Sequence, residues 1–197
     1  MGDERSIRSR QIVKAAIGVF LRYGYARTTM GDIAQAAGLT RPTLYLSFPD
    51  KDSIFQVVVE TLVADKLAEI RQGMAARETL HDKLGFACEA WGAEGFDLVR
   101  AHPDAKDMFD LGFGAVCAGY GAFEEVLAEL VAEPLAAAGL TMTAAELAHV
   151  LVFAIKGFKD IARDGVEIRR MITMQVAIVA AALDAGGIIR DRRQGPP

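Results

Sequence analysis

The sequence predicts an all-α protein, and three observations carry that expectation. Every long stretch of its 197 residues repeats apolar side chains at helical spacing. None alternates apolar with polar residues over the length of a strand. A hydrophobic share of 52% suffices to bury a substantial core, which argues against a mainly disordered chain.

The elements follow in order. Ile12, Ala15, Ala16, Val19 and Phe20 share one face of a first helix that Tyr23-Gly24 ends. Thr29 caps a second, where its hydroxyl can accept from a free N–H of the first turn, and Ile33, Ala34 and Ala37 form its inward face. Gly38 supplies the left-handed residue on which helices commonly stop. Thr40 caps a short third helix whose Leu44 and Phe48 face inward. Pro49 breaks it, because the residue before a proline is driven out of the helical region. Asp50 then caps a long helix through Ile54, Phe55, Val58, Leu62, Leu67 and Ile70 that fades at Gln72-Gly73. The next runs over 80–100 despite Gly85, Gly92 and Gly95, and His102-Pro103 separates it from a short helix over 104–111. Gly112, Gly114, Gly119 and Gly121 leave the following stretch without an assignment, and helix resumes by Phe123 to about Ala138. Gly139-Leu140-Thr141 makes a turn, after which Thr143 and Glu146 stand at capping-box spacing. Helices over 144–163 and 166–185 complete about nine in total, ahead of the tail RDRRQGPP.

Charge is divided unevenly along the chain. Residues 1–51 hold eight Lys/Arg against four Asp/Glu, whereas the remainder holds 14 against 22, within an overall charge of −4. A basic N-terminal module on an acidic body suggests that only the first part meets phosphate. The start MGDERSIRSR has no apolar signal core, and no apolar run reaches membrane-spanning length without a charge or a breaker, so a soluble, cytoplasmic protein with no membrane partner is expected. Cys88 and Cys117 are too few and too widely spaced for a zinc site or a disulfide framework. Three histidines, none in a metal-binding frame, give no basis for an enzyme, and no metal or cofactor is expected.

Residues 28–48, TTMGDIAQAAGLTRPTLYLSF, pair two short helices across a tight glycine turn, which is a helix-turn-helix. The second helix of such a motif presents its N-terminal residues to base edges in the major groove of double-stranded DNA; here those are Thr40, Arg41, Pro42, Thr43 and Tyr45. Arg41 can contact a guanine bidentately and the Thr43 methyl can touch a thymine methyl, while Pro42 fits the first helical turn, where no backbone donor is missed. Thr28 and Thr29 can meet phosphate through a hydroxyl or through helix N-terminal amides, and for Thr29 a plain helix cap is the competing role. Arg5, Arg8 and Arg10 form either an arm that reaches DNA or a disordered tail.

Over the first 60 or so residues the chain resembles the TetR/AcrR family of bacterial transcriptional regulators. The matching residues are Ile12 through Phe20, Tyr23-Gly24-Tyr25, Thr28-Thr29, Ile33-Ala34, Ala37-Gly38-Leu39, Leu44-Tyr45, Phe48 and Lys51. The resemblance implies an N-terminal three-helix DNA-binding domain with the helix-turn-helix (residues 1–51). A larger helical ligand-binding and dimerisation domain (52–197) would follow, in a homodimer on a palindromic operator. It further implies that Tyr45 and Lys51 bind phosphate. Leu46 and Ser47 depart from the basic or polar residues common in the family, and Gly31 is neither large nor charged, so fewer phosphate contacts and a weaker salt dependence are expected.

By the same analogy a mainly apolar small-molecule effector would bind in the second domain. Trp91, Phe113, Tyr120, Phe123 and Phe158 are the candidate lining, although an aromatic stripe at helical spacing is more often core. His102, Lys156 or Lys159 can meet a polar end; a solvated face is the simpler role for the two lysines, and a turn position for His102. The last helix is apolar over more than one face, through Ile168, Met171, Ile172, Val176, Ile178, Val179 and Leu183, which suggests a homodimer through the last two helices rather than a purely internal core. The expected function is a repressor released from its operator by the effector. A redox-responsive regulator sensing through Cys88 and Cys117 is the alternative.

Overall fold

Where apolar residues recur every three or four positions, the computed structural model has helix. It describes residues 2–193, with side chains over 6–184. Among them are eight α-helices, one 3-10 helix and no strand: α1 Gly2–Arg27, α2 Met30–Ala36, α3 Arg41–Tyr45, α4 Lys51–Ala75, α5 Leu80–Ala101, the 3-10 helix Pro103–Phe109, α6 Gly114–Ala138, α7 Ala144–Ile161 and α8 Gly165–Arg193. The all-α architecture with its N-terminal helix-turn-helix is as the periodicity predicts.

Boundaries are set by local chemistry. α1 bends at Gly24, whose φ of 75° lies where side chains are strained. Thr29 accepts from the Asp32 N–H at 3.2 Å while the Asp32 carboxylate accepts the Thr29 N–H at 2.9 Å, a complete capping box. Those bonds, the Thr29 hydroxyl first, hold the Asp32 carboxyl below its ordinary pKa. Gly38, at φ 67°, ends the turn after α2. Thr143 and Glu146 close the expected box at the start of α7, at 3.1 and 2.7 Å.

Three elements differ from expectation. α6 begins at Gly114, not near Phe123. Its glycines serve packing there: a Cβ on Gly119 would come within 2.7 Å of a Val63 methyl, so burial outweighs the low helix propensity. The segment after His102-Pro103 is a 3-10 helix. α8 continues to Arg193, past the expected end at Ala185.

The chain forms two compact units. One comprises the chain through Ala64 together with Leu98–Gly119; the other comprises Asp65–Asp97 and the chain from Tyr120. In the first, Ile12, Ala16, Phe20, Ile33, Leu44 and Ile54 are wholly buried. The 3-10 helix docks there on the end of α1. The Asp107 carboxylate accepts the N–H groups of Tyr25 and Ala26 at 2.9 and 2.8 Å, and Arg27 pairs with Asp104 at 2.6 Å. A Cβ on Gly24 would overlap the Asp104 carbonyl oxygen and lie 2.7 Å from an Asp107 carboxylate oxygen. In the second unit, Gly92 lets α5 approach α7 and α8, since a Cβ there would sit 2.7 Å from Ile155 and from Ile172. No described helix is long and apolar enough to cross a membrane.

Candidate DNA interface and effector-binding cluster

α3 is five residues long and held by one buried side chain, Leu44, so its other faces are free for contact. Thr40 caps it: the Thr40 hydroxyl accepts the Thr43 N–H at 3.4 Å and lies 2.8 Å from the Thr43 hydroxyl. Arg41 and Pro42 are exposed in the first turn, and Tyr45 is 51% exposed one turn on. The Arg41 guanidinium packs over Gly31 so closely that a Cβ there would overlap it. Gly31, which sequence alone showed only as a residue lacking bulk and charge, is thus the seat of Arg41.

The remaining expected contact residues are tied into the fold. Thr28 is 2% exposed, and its hydroxyl donates to the Gly24 carbonyl at 2.6 Å, closing the end of α1. Thr29 is exposed, and its hydroxyl donates to Asp32 at 2.6 Å. Lys51 is half-buried; its ammonium donates to the Tyr25 carbonyl at 2.8 Å and stands 4.1 Å from the Tyr25 ring centroid. An ammonium carries three donors, so this anchor aims the group without exhausting it. Tyr25 in turn donates its hydroxyl to Asp52, and that bond is the main reason its pKa is pushed up to about 12. Arg8 and Arg10 lie exposed on α1, while the Arg5 side chain falls outside those described.

The five candidate effector residues divide. Trp91 stacks on Phe123 at 4.5 Å between centroids and meets Tyr120 edge-on at 5.6 Å. Phe113 packs elsewhere, 4.7 Å from both Tyr25 and Phe55 in the first unit, where these rings border an open cleft of about 300 Å³ with Asp52, Gln56 and Gly114. Phe158 is half-buried on α7, where Phe153 reaches Tyr120 at 6.1 Å.

Lys159 departs from the expected solvated face. Its ammonium lies 5.8 and 5.9 Å from the ring centroids of Trp91 and Tyr120, and 2.9 Å from where a Cβ on Gly95 would be. Burial pushes its pKa down to about 8, with Lys156 adding to the effect and Asp160 opposing it. Sequence did carry a signal for this, because Lys159 continues the buried line of Leu151 and Ile155 at four-residue steps. Lys156 pairs with Asp160 at 2.7 Å. His102 precedes the 3-10 helix as its half-buried cap residue.

Cys88 is fully buried, and burial pushes its thiol up to about 12; Cys117 is exposed. Redox sensing proceeds through the thiolate, which the surroundings of Cys88 disfavour. α7 and α8 pack on each other yet leave apolar side chains outward. Val150 and Phe153 are 63% and 40% exposed, and Met174 and Ile178 are 50% and 71% exposed.

Comparison with known proteins locates the resemblance. Residues 12–58 match the family model described as bacterial regulatory proteins, tetR family. An HTH-type transcriptional regulator of Mycobacterium tuberculosis is 31% identical over 101 residues, 51% of this chain and 52% of that protein, so the chain spans about half the length of that relative. The HTH-type transcriptional activator FasR of Mycolicibacterium smegmatis is 28% identical over 182 residues, 92% of this chain and 71% of that protein. In fold the chain is similar to the transcriptional regulator FadR from Bacillus subtilis in complex with stearoyl-CoA. The TM-score is 0.61 at 16% identity, covering 85% of this chain and 96% of that one.

Proposed function

We propose that the chain, whose residues 12–58 match the model of bacterial regulatory proteins, tetR family, belongs to that family and is a ligand-responsive, DNA-binding transcriptional regulator of the cytoplasm, not an enzyme. Residues 1–51 form the DNA-binding domain and residues 52–197 the effector-binding and dimerisation domain. The observation that carries this function is the short, capped α3, anchored by Leu44 alone, with Arg41 and Tyr45 exposed to solvent and Thr43 half-exposed. Arg41 and Thr43 read base edges; Tyr45, Lys51 and the start of α2 at Thr29 hold phosphate; Thr40 and Pro42 shape the helix that carries them. Thr28 contributes through its backbone, since its hydroxyl is bound to Gly24.

Two copies associate through α7 and α8, whose exposed Val150, Phe153, Met174 and Ile178 are a liability in a monomer. The dimer sets two α3 helices on successive major grooves, about 34–36 Å apart or a multiple of it, and so reads a palindrome. A mainly apolar effector binds the aromatic cluster of Trp91, Tyr120 and Phe123. It favours an arrangement with lower operator affinity, so that repression is relieved by two-state coupling. A fold neighbour seen with stearoyl-CoA, an apolar chain on an anionic carrier, supports an effector of apolar character.

The experiment is selection of bound duplexes from a random pool with the full chain, followed by gel shifts on the selected sequence. Arg41→Ala should lose at least about tenfold in affinity, the value of one bidentate base contact, and relax selection at one base pair per half-site. Tyr45→Phe should weaken all sequences alike. Unaltered sequence-specific binding by both variants would show that α3 is not the reading surface.

A further inference from the structure

Two neighbouring hydrogen-bond donors in the second unit, one buried and one half-buried, lack a partner among the described residues. The Trp91 indole Nε1 is fully buried and meets no acceptor among the described residues. The Lys159 ammonium, beside the same ring, forms no ion pair with a described carboxylate, and the adjacent Asp160 is engaged by Lys156 at 2.7 Å. The rings of Trp91 and Tyr120 compensate only weakly, since 5.8 and 5.9 Å are near the outer limit of a cation–π contact. A buried N–H without an acceptor costs stability unless something supplies the partner, and the half-buried ammonium beside it can hold an anion there. Gly95 leaves room for the ammonium, which lies 2.9 Å from where a Cβ there would be.

The chemistry of the partner follows. Both groups only donate, so the ligand must supply acceptors, and one of the two donors is a cation, so the ligand should be an anion. A carboxylate has one oxygen for the ammonium and one for the indole N–H. A dianionic phosphate would leave charge uncompensated, because Lys156 is already paired. Phe123 and Tyr120 flank the Trp91 ring with apolar surface. Resting on the effector-binding function proposed above, we infer that the effector is an organic monocarboxylate with an apolar body, its head held by Lys159 and the Trp91 indole N–H. No other described cluster offers such a pair. Arg169, beside a small hollow near His81, is already bonded to Asp97, Glu89 and the Gly165 carbonyl.

Trp91 is the sole tryptophan, so its emission reports directly from this site in the full chain. Octanoate and 3-phenylpropionate are titrated beside their methyl esters, which keep acceptor oxygens but carry no charge. At least one acid should change the emission saturably, with its ester about tenfold weaker or more, the worth of one charge-assisted hydrogen bond. Comparison of the two acids identifies an alkyl or an aryl body. Lys159→Met should abolish the preference for acid over ester while ester binding stays, and Lys159→Arg should preserve it. Circular dichroism establishes that both variants fold. Equal binding of acid and ester, an unchanged preference in Lys159→Met, or no saturable response to either acid would overturn the inference. If an acid binds yet the operator complex is unaffected, the carboxylate site stands and the effector-release function fails.

Discussion

Lys159 occupies a position that costs the folded protein. Its pKa falls to about 8 on burial, against an ordinary 10.5. Below pH 8 both folded and unfolded chains hold the proton, and the folded state bears the whole of whatever the burial costs. Between pH 8 and 10.5 the unfolded chain binds more protons, so stability rises with pH and the penalty vanishes. Lys159→Met should therefore be more stable than wild type at pH 7, and the gap should close by about pH 10.5, as measured by urea unfolding over a pH series. Cys88 and Tyr120, both pushed up to about 12, lower the stability of wild type and variant alike at high pH, so the difference between the two proteins is the quantity to follow. A gap constant over the whole range would refute the burial of the ammonium. The place of Arg41 in the first turn of a capped helix was legible in the sequence, but its seat on Gly31 was not, because residues ten apart meet only through the turn between α2 and α3.

The 3-10 helix Pro103–Phe109 shows how an element of no evident function positions another. Asp107 caps the backbone of Tyr25 and Ala26 beyond the Gly24 bend, and Lys51 binds the Tyr25 carbonyl from the start of α4. Three elements thus converge on one turn. Asp107→Ala removes the acceptor of two N–H groups, one of them part-buried, and should cost about 1–3 kcal/mol in chemical unfolding. Asp107→Asn, which keeps an acceptor, should cost less. Loss of no stability in Asp107→Ala would mean that water replaces the carboxylate without penalty. Gly24 was readable as a helix end, yet its partner lies some 80 residues on, and local spacing carries no trace of such a contact. The start of α6 was hidden for a related reason: its glycines lower propensity locally and pay back only where Gly119 meets Val63.

For the whole molecule, the question is what covers α7 and α8. Leu147, Leu151 and Ile155 point inward, and Val150, Phe153, Met174 and Ile178 point out. Ile178→Glu places a charge on that outward face without touching the core, since Ile178 is 71% exposed. It should convert a dimer to monomers in sedimentation velocity and weaken palindrome binding far more than half-site binding. A variant that sediments as wild type does would place the interface elsewhere. By itself the sequence determined most of the helices, their caps and the helix-turn-helix, because these depend on side chains within one or two turns of each other. Only the tertiary structure decided that Phe113 joins Tyr25 and Phe55 while Trp91 joins Tyr120 and Phe123, and that Lys159 stands half-buried beside the Trp91 and Tyr120 rings. Those outcomes depend on which helix faces meet, and helical periodicity says that a face is buried without saying against what.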